Sequence, residues 1–162
     1  MSPERLWRLS ALLRRRGHLR LALLVKKLNS VIYHNSLAPG AKFSPDIKFG
    51  HHGFGTVIHS NVEIGRGVTI YHNVTIAVHA ATGSDQRIVI EDDVRIGANS
   101  VVIAPGQKSV RIGRGARIGA GSVVAGDVPA GATVVSAPSR VLEGQDRSAS
   151  PREGAGGDGA GE

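Results

Sequence analysis

An aliphatic side chain recurs at every sixth position between residues 58 and 124, in three runs that stay in step. The runs are Ile58, Ile64, Ile70 and Ile76; Ile90, Ile96 and Val102; and Ile112, Ile118 and Val124. Four places after most of these rungs comes a second small or branched residue: Val62, Val68, Val74, Val94, Ser100, Ala116 and Ser122. This period fits neither an α-helix, with a repeat of about 3.6 residues, nor a long strand, with a repeat of about two. It is typical of a short strand and a turn wound repeatedly, so the pattern predicts a parallel β-solenoid.

The ladder is interrupted twice. Fourteen residues separate Ile76 from Ile90, and ten separate Val102 from Ile112. Neither gap is a multiple of six, which predicts a loop within residues 77–88 and a smaller excursion around residues 105–109. Because repeat scaffolds leave their regular rungs to packing, we expect chemistry to be carried on such irregular segments.

The ends of the chain follow other patterns. Ser2 and Pro3 fit a helix start, and Leu6, Leu9 and Leu13 would share one face of that helix. A second helix is predicted with the apolar face Leu21, Leu24, Val25, Leu28 and Ile32, so both helices should cap the solenoid and bury their apolar faces. The predicted organisation is a basic helical segment at 1–34, a β-solenoid at 35–142 and a tail at 143–162. The tail is rich in Gly, Ser, Asp and Glu and should be disordered.

The net charge of +7 is confined to the N-terminus. Residues 1–30 contain eight Lys and Arg against Glu4 alone, while the other 132 residues carry twelve basic and twelve acidic groups. A neutral solenoid gives no reason to expect nucleic-acid binding. The basic helices could instead rest on an anionic membrane, or they could be a cap with solvated arginines. With no cysteine and no apolar run long enough to cross a bilayer, we expect a cytoplasmic protein, either free or peripheral to the inner face of the membrane.

Five of the seven histidines fall in one stretch: His51, His52, His59, His72 and His79. Imidazole is the side chain best suited to move protons near neutral pH, so the cluster suggests acid–base chemistry. His52 lies six residues before Ile58, on the ladder itself, where an aliphatic residue is expected. By contrast, His72 lies two places after a rung, where its side chain should point to solvent.

Several segments resemble those of hexapeptide-repeat acyltransferases. IGANSVV at 96–102 and IGAGSVV at 118–124 match the repeat, and DVPAGA at 127–132 with APSR at 137–140 is similar to the usual end of that domain. Within the family, HGFGTVI at 52–58 and VTIYHNVTI at 68–76 are similar to segments of serine O-acetyltransferases. The resemblance covers about residues 43 to 142. It implies an all-β fold, a left-handed parallel β-helix. It also implies an enzyme that works as a homotrimer, uses acetyl-CoA and needs no metal.

Carried over residue by residue, the resemblance implies specific roles. His52 falls on the catalytic histidine, the general base that takes the proton of an acceptor hydroxyl as it attacks the acetyl-CoA thioester. Ala98 and Ala120 align with small residues beside which the pantetheine arm of CoA lies. Arg117 and Arg140 fall on basic positions that could meet CoA phosphates.

The acceptor half of the site departs from serine acetyltransferases. His51 replaces the aspartate before the catalytic histidine, and Gln86-Arg87 replaces an Arg-His pair that contacts the amino acid. An orienting aspartate is also missing at the matching spacing, where only Asp46 is near. We therefore predict His51 and Arg87 as substrate-binding residues, with the acceptor either serine or a sugar hydroxyl.

Three alternatives remain open from the sequence. The short basic N-terminus and the Val57-Ile58-His59 segment resemble enzymes that O-acetylate sugars during capsule or colanic-acid synthesis, and there His59 could join or replace His52 as the catalytic residue. A metal-dependent β-helix enzyme of the gamma-type carbonic anhydrase kind would use several histidines as zinc ligands. A non-catalytic β-helix scaffold would tolerate replacement of both His51 and His52.

Overall fold

The computed structural model of the chain describes residues 2–79, 84–106 and 108–137. Two helices come first, α1 Pro3–Arg15 and α2 Leu19–Tyr33. Among the described residues fourteen short strands follow: β1 Ser36–Leu37, β2 Lys42–Phe43, β3 Lys48–Phe49, β4 Val57–Ile58, β5 Val62–Ile64, β6 Thr69–Ile70, β7 Thr75–Val78, β8 Ile88–Ile90, β9 Arg95–Ile96, β10 Val101–Ala104, β11 Val110–Ile112, β12 Arg117–Ile118, β13 Val123–Val124 and β14 Thr133–Val134. The prediction for the tail at 143–162 lies outside the described residues.

Each coil of the chain contributes one strand to each of three sheets in turn. Sheet A has the order β1-β4-β7-β10-β13, sheet B the order β2-β5-β8-β11, and sheet C the order β3-β6-β9-β12-β14. All of the named strand pairs are parallel, and the chain completes about four turns. The predicted parallel β-solenoid with an N-terminal helical cap is therefore confirmed.

The core consists of the side chains that the period of six selects. All ten rungs between Ile58 and Val124 are buried, with at most 6% of their surface exposed. The second set of small residues, at the fourth place after a rung, is buried as well, from Val62 to Ser122. Two serines occupy this position: Ser100 Oγ donates to the carbonyl oxygen of Gly119 at 2.9 Å, whereas Ser122 Oγ is buried and has no hydrogen-bond partner among the described residues.

Both predicted interruptions lie where the strands of the ladder stop. β7 ends at Val78 and β8 starts at Ile88, while β10 ends at Ala104 and β11 starts at Val110. Buried Gln86 ties the two segments together, since its Nε2 donates to Ala104 O at 3.1 Å and to Lys108 O at 2.7 Å. The side chain therefore satisfies backbone oxygens that the broken ladder leaves without strand partners.

Helix α1 closes the first coil through Trp7. The indole is 1% exposed, stacks on the Phe43 ring with centroids 3.8 Å apart, and donates from Nε1 to Ala38 O at 2.9 Å. On the same helix, a Glu4 carboxylate oxygen accepts from the Phe49 N–H at 3.2 Å, which supplies a partner to edge strand β3. One aromatic anchor and one carboxylate thus protect the open end of the stack.

Helix α2 does not bury the face that the spacing predicts. Leu21, Leu24, Leu28 and Ile32 are between 45% and 63% exposed, whereas Ala22 and Asn29 are buried. The reason is polar contact with α1, because Ser10 Oγ donates to Ala22 O at 3.0 Å and Asn29 Nδ2 donates to Pro3 O at 3.1 Å. The prediction that both apolar faces are buried against the solenoid is wrong for α2, and in α1 it holds for Leu6 but not for Leu9, which is 43% exposed. Within the described residues, no helix is both long and apolar enough to span a bilayer.

Charged side chains at the corner between sheets B and C pair from coil to coil. Asp92 Oδ2 lies 3.5 Å from Arg66 Nη2 and 3.6 Å from Arg114 Nη2, and these arginines belong to the coils on either side of it. The Arg66 backbone N–H donates to the Asp92 carboxylate and, with the guanidinium groups, holds the pKa of Asp92 below its usual range. Opposite charges on successive coils thus keep the solenoid neutral.

Candidate active site

The first coil departs from the ladder at the corner where the chain passes from sheet C to sheet A, called here the C–A corner. The pairs that fix the register are Phe49 with Ile70 in sheet C and Ile58 with Ile76 in sheet A. Nine residues thus separate the two rungs of the first coil, where six separate those of the next. The additional residues form the 3₁₀ turn Gly50–Gly53, which carries His51 and His52. The rung position predicted for His52 is wrong, because Phe49 occupies the rung and His52 lies exposed on the turn.

Both imidazoles of this turn are held on left-handed backbone. His51 has φ 50° and ψ 43°, and His52 has φ 57° and ψ 18°. The turn also packs closely on the next coil: a Cβ on Gly50 would lie 2.6 Å from Cδ1 of Tyr71. Glycine at position 50 is therefore needed for the Tyr71 ring to lie against the turn.

Rings from α2 and from the segment after β6 lie next to the two histidines. The His51 ring meets the His72 ring edge-on, with centroids 4.9 Å apart and planes at 89°, and lies 6.5 Å from the Tyr71 ring. The His52 ring lies 5.9 Å from that of Tyr33, the last residue of α2. His72 is only partly exposed: its Nδ1 is buried and has no hydrogen-bond partner among the described residues.

A column of small residues continues from this turn along the C–A corner. The next coil carries His72. In the coil after that the Asn99 N–H donates to His72 O at 3.2 Å, and one coil further the Gly121 N–H donates to Ala98 O at 2.8 Å. The backbones approach so closely that a Cβ on Gly97 would lie 2.6 Å from the Ala120 nitrogen. Ala98 and Ala120 thus follow the histidine turn in order along one edge of the molecule.

Asp46 lies away from this corner. Its carboxylate accepts from the Gly67 N–H at 2.9 Å, at the corner between sheets B and C. The Ser44 hydroxyl and this N–H together hold the pKa of Asp46 below its usual range. The carboxylate is therefore engaged elsewhere and does not contact the histidine turn.

Comparison with known proteins identifies the family. The protein-family model described as a hexapeptide repeat of succinyl-transferase matches residues 87–125 of this chain. The serine acetyltransferase of Mycobacterium tuberculosis is 35% identical over 135 residues, 83% of this chain and 57% of that protein. Soybean serine acetyltransferase in complex with serine superposes with a TM-score of 0.72 at 34% identity, covering 85% of this chain and 54% of that one. The serine acetyltransferase of Brucella abortus in complex with coenzyme A gives a TM-score of 0.73 at 27% identity, covering 85% and 53%.

The chain belongs to the serine acetyltransferase-like group of hexapeptide-repeat proteins. It spans about half the length of the serine acetyltransferases it matches. The similarity confirms the family expected from the repeat and from the histidine segment.

Two predicted site residues of this serine acetyltransferase-like chain lie at another corner. His59 and Arg87 fall at the passage from sheet A to sheet B, the A–B corner, next to Asn61. His59 Nδ1 accepts from the Asn61 N–H at 3.1 Å, and Asn61 Nδ2 donates to Gln86 O at 3.1 Å. Arg87 Nη1 lies 3.2 Å from Glu63 Oε1 in an ion pair. One chain alone therefore does not bring His59 or Arg87 to the His51–His52 turn.

Of the two arginines predicted to bind CoA phosphates, the structure describes Arg117. Arg117 is exposed on the outer face of sheet C, in register with Arg95 one coil away, and neither has an ion-pair partner among the described residues. Arg95 was missed from the sequence, although it precedes rung Ile96 just as Arg117 precedes Ile118. Arg140 lies outside the described residues. The described part of the chain holds no group of three or more His, Asp or Glu placed to bind a metal ion.

Proposed function

We propose that this chain is an acetyl-CoA-dependent O-acetyltransferase of the serine acetyltransferase type. The observation that carries the proposal is the C–A corner, where the exposed His51–His52 turn, the coil of His72, and Ala98 and Ala120 follow one another along one edge. A proton acceptor and a narrow path for an extended acyl carrier then lie on one edge. Related proteins crystallised with serine and with coenzyme A support this assignment.

The mechanism assigned to this geometry is direct transfer. A His52 ring nitrogen takes the proton of the acceptor hydroxyl while the hydroxyl oxygen attacks the thioester carbonyl carbon of acetyl-CoA. The carbon–sulfur bond then breaks, and the departing thiolate receives the proton from the imidazolium, giving CoA and an O-acetyl ester. Ala98 and Ala120 leave room for the pantetheine arm, and Arg117 with Arg95 offers two guanidinium groups to the CoA phosphates. Because the chain contains no cysteine, no cysteinyl acyl-enzyme is involved.

The test is the release of CoA thiol from acetyl-CoA by the full chain, with L-serine and a panel of sugars as acceptors. Serine is the acceptor in the names of the relatives, and a sugar hydroxyl is the second candidate. Thiol release that depends on an acceptor supports the proposal. Absence of release with every acceptor contradicts it.

The enzyme proposed here is a homotrimer, and the outer face of sheet A supports this. Its outward side chains in register are uncharged: Val57, Thr75, Val101 and Val123. The corresponding row on sheet C is Lys48, Thr69, Arg95, Arg117 and Thr133, and on sheet B it is Lys42, Glu63, Val89 and Arg111. Sheet A lies between the two corners described above. An interface on this sheet would bring His59 and Arg87 of one copy towards the histidine turn of the next.

We expect Val101→Asp to convert the trimer to monomers, because it buries a carboxylate in an apolar interface. Light scattering after gel filtration measures the change from three times the 16.9 kDa chain mass to one. The matched control is Val89→Asp, which places the same charge outward on sheet B between Glu63 and Arg111. A monomeric wild-type chain, or equal dissociation by both variants, would contradict the assignment.

We also propose that α2 rests on the anionic inner face of the cytoplasmic membrane. Seven large apolar side chains of this helix are between 45% and 67% exposed to solvent: Leu19, Leu21, Leu23, Leu24, Leu28, Val31 and Ile32. The same helix pair carries eight basic residues and one acidic residue over positions 1–30. A bilayer of anionic lipid matches both features, since acyl chains cover the leucines while headgroups attract the cations.

The full chain should sediment with vesicles of mixed phosphatidylglycerol and phosphatidylcholine and not with phosphatidylcholine alone. Leu24→Glu with Val31→Glu should weaken this binding at least about tenfold, because both apolar contacts are lost. Val89→Glu on the solenoid is the control and should bind as wild type does. Equal binding to neutral and anionic vesicles contradicts the proposal. A solution mass above that of the trimer, lowered by the double variant, also contradicts it, because a second copy would then cover α2.

A further inference from the structure

A cleft runs between the second half of α1 and β2, the edge strand of sheet B. It consists of two adjoining cavities, of about 540 Å³ and about 250 Å³, which share Arg15 and Phe43 as lining residues. Among the described residues that line it, four are cations and none is acidic: Arg8, Arg14, Arg15 and Lys42. This space, called here the α1–β2 cleft, has the size of a small-molecule site.

The two arginines at the end of α1 are not engaged elsewhere. Neither Arg14 nor Arg15 has an ion-pair partner among the described residues. They are not needed to cap the helix, because the carbonyl oxygens of residues 12–14 accept from the backbone N–H groups of residues 16–18. Arg14 lies over the floor of the cleft, since a Cβ added to Gly40 would be 3.5 Å from its Nε.

The positive charge of the cleft is not neutralised by the acid beside it. Lys42 Nζ lies 3.0 Å from Glu63 Oε1, and Arg87 Nη1 lies 3.2 Å from the same oxygen. One carboxylate therefore serves two cations at the A–B corner and leaves the arginines of α1 uncompensated. Such an excess of cations around a cavity favours an anionic ligand.

The backbone of β2 adds a hydrogen-bond donor to the same cleft. The Ser44 N–H donates to Ile64 O at 3.0 Å within sheet B, so the preceding N–H, that of Phe43, points away from β5 to the side on which α1 lies. In β3 the equivalent N–H, that of Phe49, donates to the carboxylate of Glu4. Glu4 is the one acid of α1, so the helix presents a carboxylate to the edge of β3 and arginines to the edge of β2.

We infer that the α1–β2 cleft binds a phosphate group, held by the guanidinium groups of Arg14 and Arg15 and by the Phe43 N–H. Guanidinium groups match the oxygens of phosphate in paired hydrogen bonds, and an oxyanion supplies the acceptor that the edge of β2 lacks. The phosphate belongs either to an anionic lipid headgroup or to a soluble phosphate ester. The cleft lies away from the C–A corner, so the inference does not depend on the proposed acetyl transfer.

Titration calorimetry of the full chain with inorganic phosphate tests the site, with sodium chloride at the same ionic strength as the reference. We expect one saturable site per chain. Arg14→Gln with Arg15→Gln should lower the affinity at least about tenfold, because charge-assisted hydrogen bonds are lost. The matched control, Arg5→Gln with Arg20→Gln, removes the same charge from exposed positions of α1 and α2 outside the cleft and should bind as wild type does.

Vesicles of mixed phosphatidylglycerol and phosphatidylcholine distinguish the two sources of phosphate. If the cleft variant loses more vesicle binding than the control variant, and inorganic phosphate competes with the vesicles, the ligand is a lipid headgroup. If both variants lose vesicle binding equally while glycerol 1-phosphate binding is lost in the cleft variant alone, the ligand is a soluble phosphate ester.

Absence of saturable phosphate binding by the wild-type chain overturns the inference, as does equal weakening of phosphate binding by the two double variants. Thiol release from acetyl-CoA in solution should be the same in both variants and the wild type. Its loss together with phosphate binding in the cleft variant would place these arginines in the transferase site and overturn a separate phosphate site. Phosphate binding that behaves as expected in a chain without thiol release supports the inference and contradicts the proposed function alone.

Discussion

Replacing His52 with glutamine lowers kcat for acetyl transfer by about two to four orders of magnitude, on the mechanism proposed here. Glutamine retains a polar side chain of similar reach but cannot take a proton from a hydroxyl near neutral pH. The acceptor must then be attacked without general-base assistance. The measurement is acetyl-CoA-dependent thiol release at saturating acceptor, with the KM for acetyl-CoA expected to stay within about twofold because the Ala98–Ala120 column is untouched.

The control is His18→Gln, which makes the same exchange at an exposed histidine between α1 and α2, at neither the C–A nor the A–B corner. It should retain wild-type kcat. Circular dichroism and solution mass of both variants establish that fold and assembly are intact. Wild-type turnover by His52→Gln would assign the proton transfer to another group, and parallel loss in His59→Gln would place it at the A–B corner.

Trp7→Ala should lower the free energy of unfolding by about 3–5 kcal/mol. The indole is 1% exposed, stacks on Phe43 and donates to the Ala38 carbonyl oxygen, so its removal leaves a cavity and leaves that oxygen with the Ala41 N–H as its donor. Urea titration followed by circular dichroism gives the change, since the chain has no other tryptophan to report by fluorescence. We also expect proteolysis to begin at the N-terminal side, because α1 would no longer cover the first coil.

The matched control is Leu12→Ala on the same helix, where 42% of the side chain is exposed. It should change the free energy of unfolding by less than about 1 kcal/mol. Trp7→Phe separates the two contributions of the indole, because it keeps most of the stacked ring and loses only the hydrogen bond, at about 1 kcal/mol. Equal destabilisation by Trp7→Ala and Leu12→Ala would mean that the cap is not anchored by the indole.

The period of six was enough to predict the solenoid because it encodes the whole core. Every rung from Ile58 to Val124 is buried, and the two gaps in the ladder coincide with the segments that leave the strands. Burial in a repeat fold depends on neighbours one coil away, which the same pattern specifies. Nothing outside the pattern is needed to place these side chains.

The face of α2 could not be predicted in the same way. The spacing of its leucines shows which residues share a side but not which side meets a neighbour. That choice depends on Ser10 and Asn29, whose hydrogen bonds join the two helices through Ala22 and Pro3. Such contacts join residues far apart in the chain and leave no period in it.

The prediction of His52 as a site residue rested on a partly wrong reason. His52 was singled out because it lies six residues before Ile58, yet an insertion places Phe49 on that rung. The spacing of residues in the sequence does not show whether a six-residue interval belongs to the ladder or to an extended turn. The resemblance of the segment to serine acetyltransferases selects the same residue, whereas the contacts of the His51 ring with the Tyr71 and His72 rings required coordinates.

The left-handed backbone of the histidine turn has an energetic consequence. Two successive residues with a Cβ adopt a conformation that disfavours each by about 1 kcal/mol relative to glycine. A chain optimised for stability alone would carry glycine at positions 51 and 52, as it does at the flanking positions 50 and 53. His51→Gly should therefore raise the free energy of unfolding and lower the acetyltransferase activity. The turn is a point where stability and activity oppose each other, so screens for thermostable variants should converge on it first.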